Sequence, residues 1–351
     1  MSLPGPAVCA RAMPEARKRR TRYWVAFLPA LVLIAGIAAV ATLVAHYGFH
    51  VIGDALIAVG VMGFAAITGF HLGIVVLCGV AWFVLVPESH RSSAWPFILG
   101  RLVRNGGSEA LPLSQFGGFV IGSRAATAAG VPGAMSFAST VVDITMELLG
   151  EIIYVALALG ILLALRPRTG LETWVAAGLA AATLLAIAYG ALQRRGFAIL
   201  ERIARTAPQG AGVAAGAASL QNCIDEIYRR FRGPLLSFLL HLFAWLAGAV
   251  EAWFALKLMG TSPGLAAVFS IEGLLCAARA IAFAVPGAFG VQEGAYVLLG
   301  GLYGVTPTSI LALSLLKRAR DLMLGVPPLL AWQFIEGRRL QQRESASVEA
   351  R

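Results

Sequence analysis

The chain has 351 residues, of which 58% are hydrophobic and only 13% are charged, and its mean hydropathy is +0.78. Soluble domains carry about 25% charged residues, and a soluble fold of this length could not bury so much apolar surface. The composition therefore predicts a polytopic membrane protein. The net charge of +10 does not indicate a nucleic-acid partner, because the arginines flank apolar runs instead of forming one basic face. Anionic lipid headgroups are the expected partners of the basic loops.

The pattern of cysteines and histidines excludes the common metal and disulfide frameworks. The four cysteines are scattered and form no CxxC pair, which argues against a zinc site and against a set of disulfides. His46 and His50 are four residues apart, but two histidines alone are a weak metal signal, and an interfacial pair at a helix end is the better interpretation. We therefore expect no metal site and no cofactor.

Windows of about 20 predominantly apolar residues mark helices that are long enough to cross a bilayer. They predict an all-α protein with six full crossings, and a short interfacial helix is expected over 48–60. Gly69 and Gly73 form a pair of small residues that would let helices approach closely. The six predicted crossings lie at 24–46, 61–86, 134–165, 173–192, 234–257 and 308–334.

Basic residues are concentrated on one side of the predicted crossings. They lie before the first crossing, in the 193–233 loop and after residue 334, whereas the opposite connections hold only Arg166, Arg168 and Lys257. The positive-inside rule therefore places both termini and the central loop in the cytoplasm. The first apolar run is too long for an ordinary signal peptide, so we expect a retained signal anchor instead of a cleaved segment.

Two segments, near 96–126 and 263–304, fit no simple crossing. Both are moderately apolar, interrupted by Pro and Gly, and charged, and the predicted topology makes each enter and leave on the same side. Irregular backbone at membrane depth is tolerated only when it is buried in protein or lines a wet cavity, so we expect two re-entrant hairpins. The predicted parts are a basic tail (1–22), a first membrane half with the first hairpin (23–192), a cytoplasmic basic loop with one or two amphipathic helices (193–233), a second membrane half with the second hairpin (234–334) and a cytoplasmic tail (335–351).

The two halves show weak similarity when the sequence is shifted by 174 positions, since Pro112 falls on Pro286 and Glu147 falls on Asp321. Each hairpin is followed by a long crossing with charges near its start, and the two crossings run in opposite directions. This pattern is typical of an inverted repeat, in which broken helices meet near the midplane to form a substrate site. Two unrelated kinked hairpins are the alternative interpretation.

The third crossing carries three carboxylates on one face, because Asp143, Glu147 and Glu151 are spaced four residues apart. A charge at the centre of a crossing costs about 2.5–3.5 kcal/mol, so this face should contact a partner or water. Asp143 falls on Lys317 at the 174-residue shift, which suggests ion pairs between the halves. Structural pairing, headgroup recognition, a charge switch and interfacial solvation are all compatible with the pattern. The predicted network between the repeats comprises Asp143, Glu147, Lys317, Arg318, Arg320 and Asp321.

The hairpins supply the predicted substrate contacts. The N-termini of half-helices favour anionic groups, and arginine forks suit phosphate or carboxylate. These polar groups either bind the polar end of an amphiphile or satisfy one another. The candidates are Arg104, Ser108 and Gln115 around Pro112, and Arg279, Gln292 and Glu293 around Pro286 and Gly287.

Several motifs give the chain a resemblance to a known family. LPLSQFGG and GVPGAMSFASTVVDIT, and later VPGAFGVQEG and KRARD, resemble the hopanoid-biosynthesis-associated membrane proteins. That family is a branch of the lysylphosphatidylglycerol synthase transmembrane (flippase-domain) superfamily, and the resemblance covers about 24–336. The matching motif positions are Arg104, Gln115, Gly117, Gly118, Asp143, Arg279, Pro286, Gly287, Gly290, Gln292, Glu293, Lys317, Arg318, Arg320 and Asp321. The resemblance adds five of them to the predicted substrate-binding residues: Gly117, Gly118, Pro286, Gly287 and Gly290.

Three positions depart from the pattern of that family. Phe119 stands where an acid usually follows the Gly-Gly pair, Asn105 stands where an acid usually accompanies the hairpin arginine, and Ser108 replaces an asparagine. These departures change the charge balance of the first hairpin. The larger aminoacyl-phospholipid enzymes also carry a soluble transferase domain, so the resemblance implies only the translocating part of their activity.

Together the patterns and the resemblance predict an inner-membrane lipid transporter of the flippase kind, with membrane lipids as partners. The resemblance implies hopanoid or a related polycyclic lipid as cargo, with phospholipid as the main competitor. A membrane-embedded lipid-modifying enzyme is one alternative, although the sequence shows no nucleophile–histidine constellation and no nucleotide-binding loop, and we predict no catalytic residue. A scaffold for lipid-synthesis enzymes is the other alternative, and a homo-oligomer is compatible with the sequence.

Overall fold

The computed structural model describes most of the chain from residue 49 to residue 349. The residues outside the description in that range are 91–92, 111–113, 167–169, 171–172, 175, 182, 185–186, 192–210, 283–284 and 286–287, and residues 41, 42 and 45 are described as well. The described residues form helices and no β-strand, so the predicted all-α class is confirmed. Most of the predicted first crossing, 24–46, and the predicted tail 1–22 lie outside the described residues.

Nine long helices and one short 3-10 helix (Glu88–His90) have defined bounds in this part of the chain. The described residues between 173 and 191 are also helical. The nine helices are α1 (Phe49–Phe83), α2 (Trp95–Ala110), α3 (Ser114–Ala128), α4 (Gly133–Leu165), α5 (Ala211–Arg229), α6 (Arg232–Leu258), α7 (Leu265–Ile281), α8 (Val291–Leu302) and α9 (Pro307–Glu349).

Three of the predicted crossings correspond to helices that are long and apolar enough to span a bilayer. These helical segments are Leu56–Phe83, Gly133–Leu165 and Arg232–Leu258. The predicted crossing 308–334 lies inside α9, which is not among them because charged residues recur along it. Helix α1 has a break at Gly60, where the backbone is non-helical with φ 62° and ψ 176°, so a short helical segment does precede the second predicted crossing.

The distribution of side chains is the reverse of that in a soluble protein. Large apolar side chains lie on the outside of the helices, with Leu157 51% exposed and Phe243 62% exposed. Charged side chains lie inside, with Asp143 only 1% exposed and Glu293 fully buried. A contiguous apolar exterior is costly in water and favourable in lipid, so this arrangement agrees with helices that are embedded in a bilayer.

Both segments predicted as hairpins are pairs of short helices. In the first segment α2 packs along α3, and in the second segment α7 packs against α8. Helix α2 approaches α3 so closely that a Cβ atom at Gly118 would lie 2.7 Å from the carbonyl oxygen of Arg104. The helical pairs are therefore present, and the depth of their turns in a membrane stays a prediction.

The packing of the first four helices is repeated by four helices of the second half. When α1, α2, α3 and α4 are exchanged with α6, α7, α8 and α9, the set of neighbouring pairs is preserved. Helix α2 packs against α9 as α7 packs against α4, and α3 packs against α4 as α8 packs against α9. Each long helix that follows a hairpin thus lies against the hairpin of the other half.

Glycines mark the closest helix crossings. Gly106 of α2 meets Gly325 of α9, and a Cβ atom at Gly325 would lie 2.7 Å from the Cα atom of Gly106. Only a residue without a side chain fits where two backbones are in contact. In contrast, Cβ atoms at Gly69 and Gly73 would have nothing within 4 Å, so the predicted pair of small residues forms no close helix crossing with the described residues.

The basic loop predicted over 193–233 contains helix α5, which is Ala-rich and amphipathic. Its apolar face includes the buried side chains of Ile224 and Ile227, which pack in one cluster with Met135 and Met146 of α4. The predicted amphipathic helix is therefore present, and it is held against the long helix of the first half.

Candidate functional site

A cavity of about 250 Å³ lies where seven helices meet: α1, α2, α3, α4, α6, α7 and α9. One part of its wall is apolar and includes Val75, Trp245 and Leu324. The other part is strongly charged. The charged and ionisable side chains that line it are Arg101, Arg104, Arg279, Arg320, Glu147, Asp321 and His71.

The first group of charges in this wall joins the first hairpin to the long helix α4. The side chain of Arg101 donates two hydrogen bonds to Glu147, at 3.0 and 2.5 Å. Arg104 donates to Asp143 at 3.0 Å and to Glu147 at 2.5 Å. Residues 101 and 104 are one helical turn apart, so their side chains share a face of α2. Both guanidinium groups contact the pair of carboxylates formed by Asp143 and Glu147.

Helix α6 completes this group with a histidine. The Nε2 atom of His241 lies 2.8 Å from the Oδ1 atom of Asp143, and both side chains are only 1% exposed. Asp143 therefore accepts hydrogen bonds from two helices that lie on opposite sides of it. Burial without water makes such paired charges depend on one another for stability.

The second group of charges lies across the cavity, between α1, α6 and α9. The Nδ1 atom of His71 lies 2.8 Å from the Oε2 atom of Glu251, and its Nε2 atom lies 3.8 Å from the Oδ1 atom of Asp321. The guanidinium group of Arg320 donates to the other oxygen of Glu251 and, at 2.7 and 3.0 Å, to Asp321. We call these four residues the His71 cluster.

The second hairpin is tied to α9 by a buried network that lies away from the cavity wall. Glu293 accepts hydrogen bonds from the side chain of Arg318 at 2.7 Å, from Ser314 at 2.9 Å and from the backbone N–H of Gly290 at 2.9 Å. Gln292 donates to Ser314 at 2.9 Å. Gly290 adopts φ 79° just before α8 begins, a conformation that glycine accepts readily.

A third link between this hairpin and α9 uses Lys317. Its ammonium group donates to Glu272 of α7 at 2.6 Å and to the hydroxyl of Tyr296 of α8 at 2.9 Å. The Tyr296 hydroxyl in turn donates to Glu272 at 2.6 Å. Both helices of the second hairpin are thereby fixed to one basic side chain.

The charges of the two halves are arranged with opposite signs. In the first half, arginines of the hairpin meet the acids of α4, and in the second half, acids of the hairpin meet Lys317 and Arg318 of α9. In this structure Asp143 and Glu147 do not pair with Lys317 and Arg318, and ion pairs between these two sets as part of a charge switch stay a prediction. Asp143 and Lys317 occupy related places in the sequence, and related places in two halves need not touch.

The comparison with protein families identifies the chain. The model of the lysylphosphatidylglycerol synthase transmembrane region matches residues 27–328. The chain belongs to this family. Comparisons with curated proteins and with solved structures found no match. Membership in the lysylphosphatidylglycerol synthase transmembrane family, together with the exposed apolar helices, makes the chain a multi-pass membrane protein connected with membrane lipids. Membership in the hopanoid-associated branch of the family stays a prediction.

The structure of this family member divides the predicted substrate-binding residues into separate groups. Arg104, Ser108 and Arg279 line the cavity, whereas Gln292 and Glu293 are buried in the network with Ser314. Gly118 provides close packing between α2 and α3, and Gly117 is its neighbour in α3. Pro286 and Gly287 lie outside the described residues, as does the side chain of Gln115.

The charged residues predicted to link the repeats are also divided. Glu147, Arg320 and Asp321 line the cavity. Asp143 is not part of the wall and contacts the lining residue Arg104. Lys317 and Arg318 hold the second hairpin instead.

Some functional residues were not predicted from the sequence. Arg101 stands one turn before Arg104 and could have been found from that spacing. Glu251 is a charge inside an apolar crossing, which is itself a signal of function. The partners of His71 and His241 lie 180 and 98 positions away, and no local pattern marks them.

All three departures from the family pattern, at Asn105, Ser108 and Phe119, line the cavity. Asn105 and Phe119 are part of its wall, and the Arg104 guanidinium lies 4.1 Å from the centre of the Phe119 ring. An aromatic ring attracts a cation through its negative face without neutralising its charge. The net charge of this cavity is therefore more positive than it would be with carboxylates at these two positions.

Proposed function

We propose that this protein moves an amphiphilic lipid between the leaflets of the bacterial inner membrane, with the lipid headgroup in the arginine-lined cavity and the apolar tail in the bilayer. The observation that carries the proposal is the cavity itself. Four arginines from three helices converge on one space inside a protein whose exterior is apolar. Three of these arginines already pair with carboxylates of the protein, and a guanidinium group has five N–H donors, so a phosphate group could share them.

The size and chemistry of the cavity favour a headgroup as its occupant. Its volume of about 250 Å³ lies below the roughly 300–1,000 Å³ of pockets that hold drug-sized ligands, which is the scale of a headgroup and not of a whole lipid. Guanidinium groups bind phosphate oxygens in a bidentate manner. A headgroup that contains phosphate is therefore the best match, and hopanoid as cargo stays a prediction from the resemblance.

We further infer that the two sets of four helices form an inverted repeat with two re-entrant hairpins. The exchange of α1–α4 with α6–α9 preserves the packing of the helices, as expected for two related halves. In such proteins the substrate site lies between the repeats, and rocking of one repeat against the other exposes it alternately to each side. The cavity has walls from both halves, which agrees with this mechanism.

The test is lipid movement by the purified full chain in phosphatidylcholine vesicles that contain fluorescent phosphatidylglycerol. Chemical quenching of the outer leaflet should show that labelled lipid reaches both leaflets faster than in empty vesicles. Mass spectrometry of the recovered lipid should show an unchanged mass, and a new lipid species would instead favour the enzyme alternative. Equal rates with and without the protein, also for a hopanoid probe, would refute the proposed function.

Arg279→Gln is the sharpest variant, because Arg279 lines the cavity. Removing one partner of a desolvated charge contact costs about 2–5 kcal/mol, and every 1.4 kcal/mol is tenfold, so transport should fall at least about tenfold. The matched control is Arg124→Gln, since Arg124 is 49% exposed and pairs with Glu336 at the surface. Both variants should elute as folded monodisperse protein, and equal transport by the two would remove the cavity from the mechanism.

A further inference from the structure

The ring of His71 lies between two carboxylates. Its Nδ1 and Nε2 atoms face oxygen atoms of two different carboxylates, Glu251 at 2.8 Å and Asp321 at 3.8 Å. Ionised carboxylates only accept hydrogen bonds, whereas a neutral imidazole has one donor nitrogen and one acceptor nitrogen. A neutral His71 can donate to one carboxylate only, whereas a ring with a proton on both nitrogens donates to Glu251 and attracts the negative charge of Asp321.

The charge balance of the His71 cluster leads to the same conclusion. Glu251 and Asp321 contribute two negative charges, and Arg320 contributes one positive charge. Protonation of His71 brings the cluster to neutrality. An uncompensated charge at membrane depth is expensive, so the protein gains by binding one proton here.

In the other buried charge groups among the described residues, lysines and arginines match the carboxylates in number when the histidine is left out of the count. Two arginines face two acids in the group that contains His241, and Lys317 and Arg318 each have one carboxylate partner. Arg279 lies within electrostatic reach of Glu151 and of Asp321. The His71 cluster lacks one positive charge when Arg279 is counted with Glu151. The charged or titratable groups that face the His71 side of the cavity are Cys78 of α1, Arg101 and Arg104 of α2, Glu147 of α4, Glu251 of α6, Arg279 of α7, and Lys317, Arg320 and Asp321 of α9.

The two histidines also differ in access to water. His71 lines the cavity and its side chain is 20% exposed, whereas His241 is 1% exposed. Histidine is the side chain whose charge ordinarily changes between pH 5 and 8. His71 can therefore exchange its proton with the cavity, and the cavity also receives the proposed headgroup.

We propose that His71 carries the proton that couples lipid movement to a proton gradient. This inference rests on the proposed function. One proton binds the Nε2 atom of His71 from the side to which the cavity is open and balances the His71 cluster. It leaves the same atom on the other side after the halves have moved, so one proton crosses with each lipid and no other bond is made or broken.

The first experiment uses the full chain in vesicles with fluorescent phosphatidylglycerol and a gradient of one pH unit, with the membrane potential clamped at zero. Coupling of one proton to each lipid predicts a steady-state leaflet ratio that approaches about ten, since one pH unit corresponds to about 1.4 kcal/mol. Wild-type protein that moves lipid but holds the ratio at one would overturn the inference and leave the proposed function intact. A ratio that follows a sodium gradient instead would also overturn it.

Variants assign the coupling to His71. His71→Gln cannot bind the proton, and Glu251→Gln balances the cluster without one, so both should return the leaflet ratio to about one. His90→Gln is the matched control, because His90 lies in the short 3-10 helix, away from the cavity, and is 35% exposed; it should keep the wild-type ratio. A wild-type ratio in His71→Gln or in Glu251→Gln contradicts the proposal.

A measurement that does not depend on transport covers the case in which the His71 and Glu251 variants move no lipid. Nitrogen-15 NMR of histidine-labelled protein in detergent, with His71 assigned by the signal lost in His71→Gln, should show the ring change between doubly and singly protonated forms between pH 5 and 8. The ring should be neutral at the alkaline end. A His71 ring that keeps one charge state from pH 5 to 8 would overturn the inference even if lipid transport is confirmed.

Discussion

The crossing of α2 and α9 at Gly106 allows a quantitative test of the packing that encloses the cavity. A Cβ atom at Gly106 would lie 2.7 Å from the carbonyl carbon of Gly325, and closer still to its oxygen. Both obstacles are backbone atoms, which cannot rotate away. Recovery of an ordinary contact of about 3.4 Å would require the two helices to separate by more than about 0.7 Å at this point, because the carbonyl oxygen is closer than the carbon.

We expect Gly106→Ala to lower the free energy of unfolding by about 1–3 kcal/mol, which is the usual cost of overpacking. The same separation would loosen the small core beside the crossing, in which Val103, Ala125 and Leu329 are buried and Trp332 packs against them. The appropriate control is Gly69→Ala, because a Cβ atom there has nothing within 4 Å. Both changes gain the same helix propensity, about 1 kcal/mol, so the difference between them isolates the crossing.

The assay is equilibrium unfolding in mixed detergent micelles, followed by tryptophan fluorescence, to which Trp332 at the crossing contributes. Gly106→Ala should be the less stable of the two variants by 1–3 kcal/mol. Stabilities that agree within about 0.5 kcal/mol would show that the helices do not touch at Gly106, and the enclosure of the cavity by α9 would have to be abandoned.

Three further predictions concern the buried charges and the cavity. Asp143→Asn removes the carboxylate shared by Arg104 and His241, so the free energy of unfolding in micelles should fall by about 3–5 kcal/mol. The control Asp54→Asn changes an exposed residue and should leave the stability unchanged. Equal stability of the two variants would argue against the buried group of charges. Glu293→Gln should lower the free energy of unfolding by a similar amount, because Arg318 loses the carboxylate to which it donates. A Glu293→Gln variant that loses transport but keeps wild-type stability would show instead that Glu293 acts on the lipid. A variant whose one cysteine is introduced by Ile74→Cys should react with a membrane-impermeant thiol reagent, since residue 74 lines the cavity and is only partly buried. Complete protection in vesicles of both orientations would indicate that the cavity is dry.

The cost of each polar substitution follows from where the charges lie. Buried charges are stable only with their partners, so the loss of one carboxylate leaves a cation in a medium that solvates it poorly. In the first half the cations left without a carboxylate would be those of the hairpin, and in the second half they would be those of α9. Stability measurements on both halves therefore test whether the charge arrangement is truly reversed between them.

The two hairpins show which features a local sequence pattern can predict and which it cannot. Pro and Gly between moderately apolar runs predicted a pair of short helices in each segment, and both pairs are present. The same pattern predicted that Gln292 and Glu293 would face the substrate. They are buried against Ser314 and Arg318 instead, because the neighbour that α9 places beside them is not visible in the segment itself.

Hydropathy and charge, read along the chain, determined the all-helical class, the membrane environment and the places of three long apolar helices. These features depend on the transfer of each local segment from water to lipid, which is a sum over neighbouring residues. The tertiary structure alone decided which charge meets which, that Arg101 joins Arg104 on the acids of α4, and that His71 lies between Glu251 and Asp321. Such contacts join residues up to 250 positions apart, and their energy exists only once the packed helices have excluded water from between them.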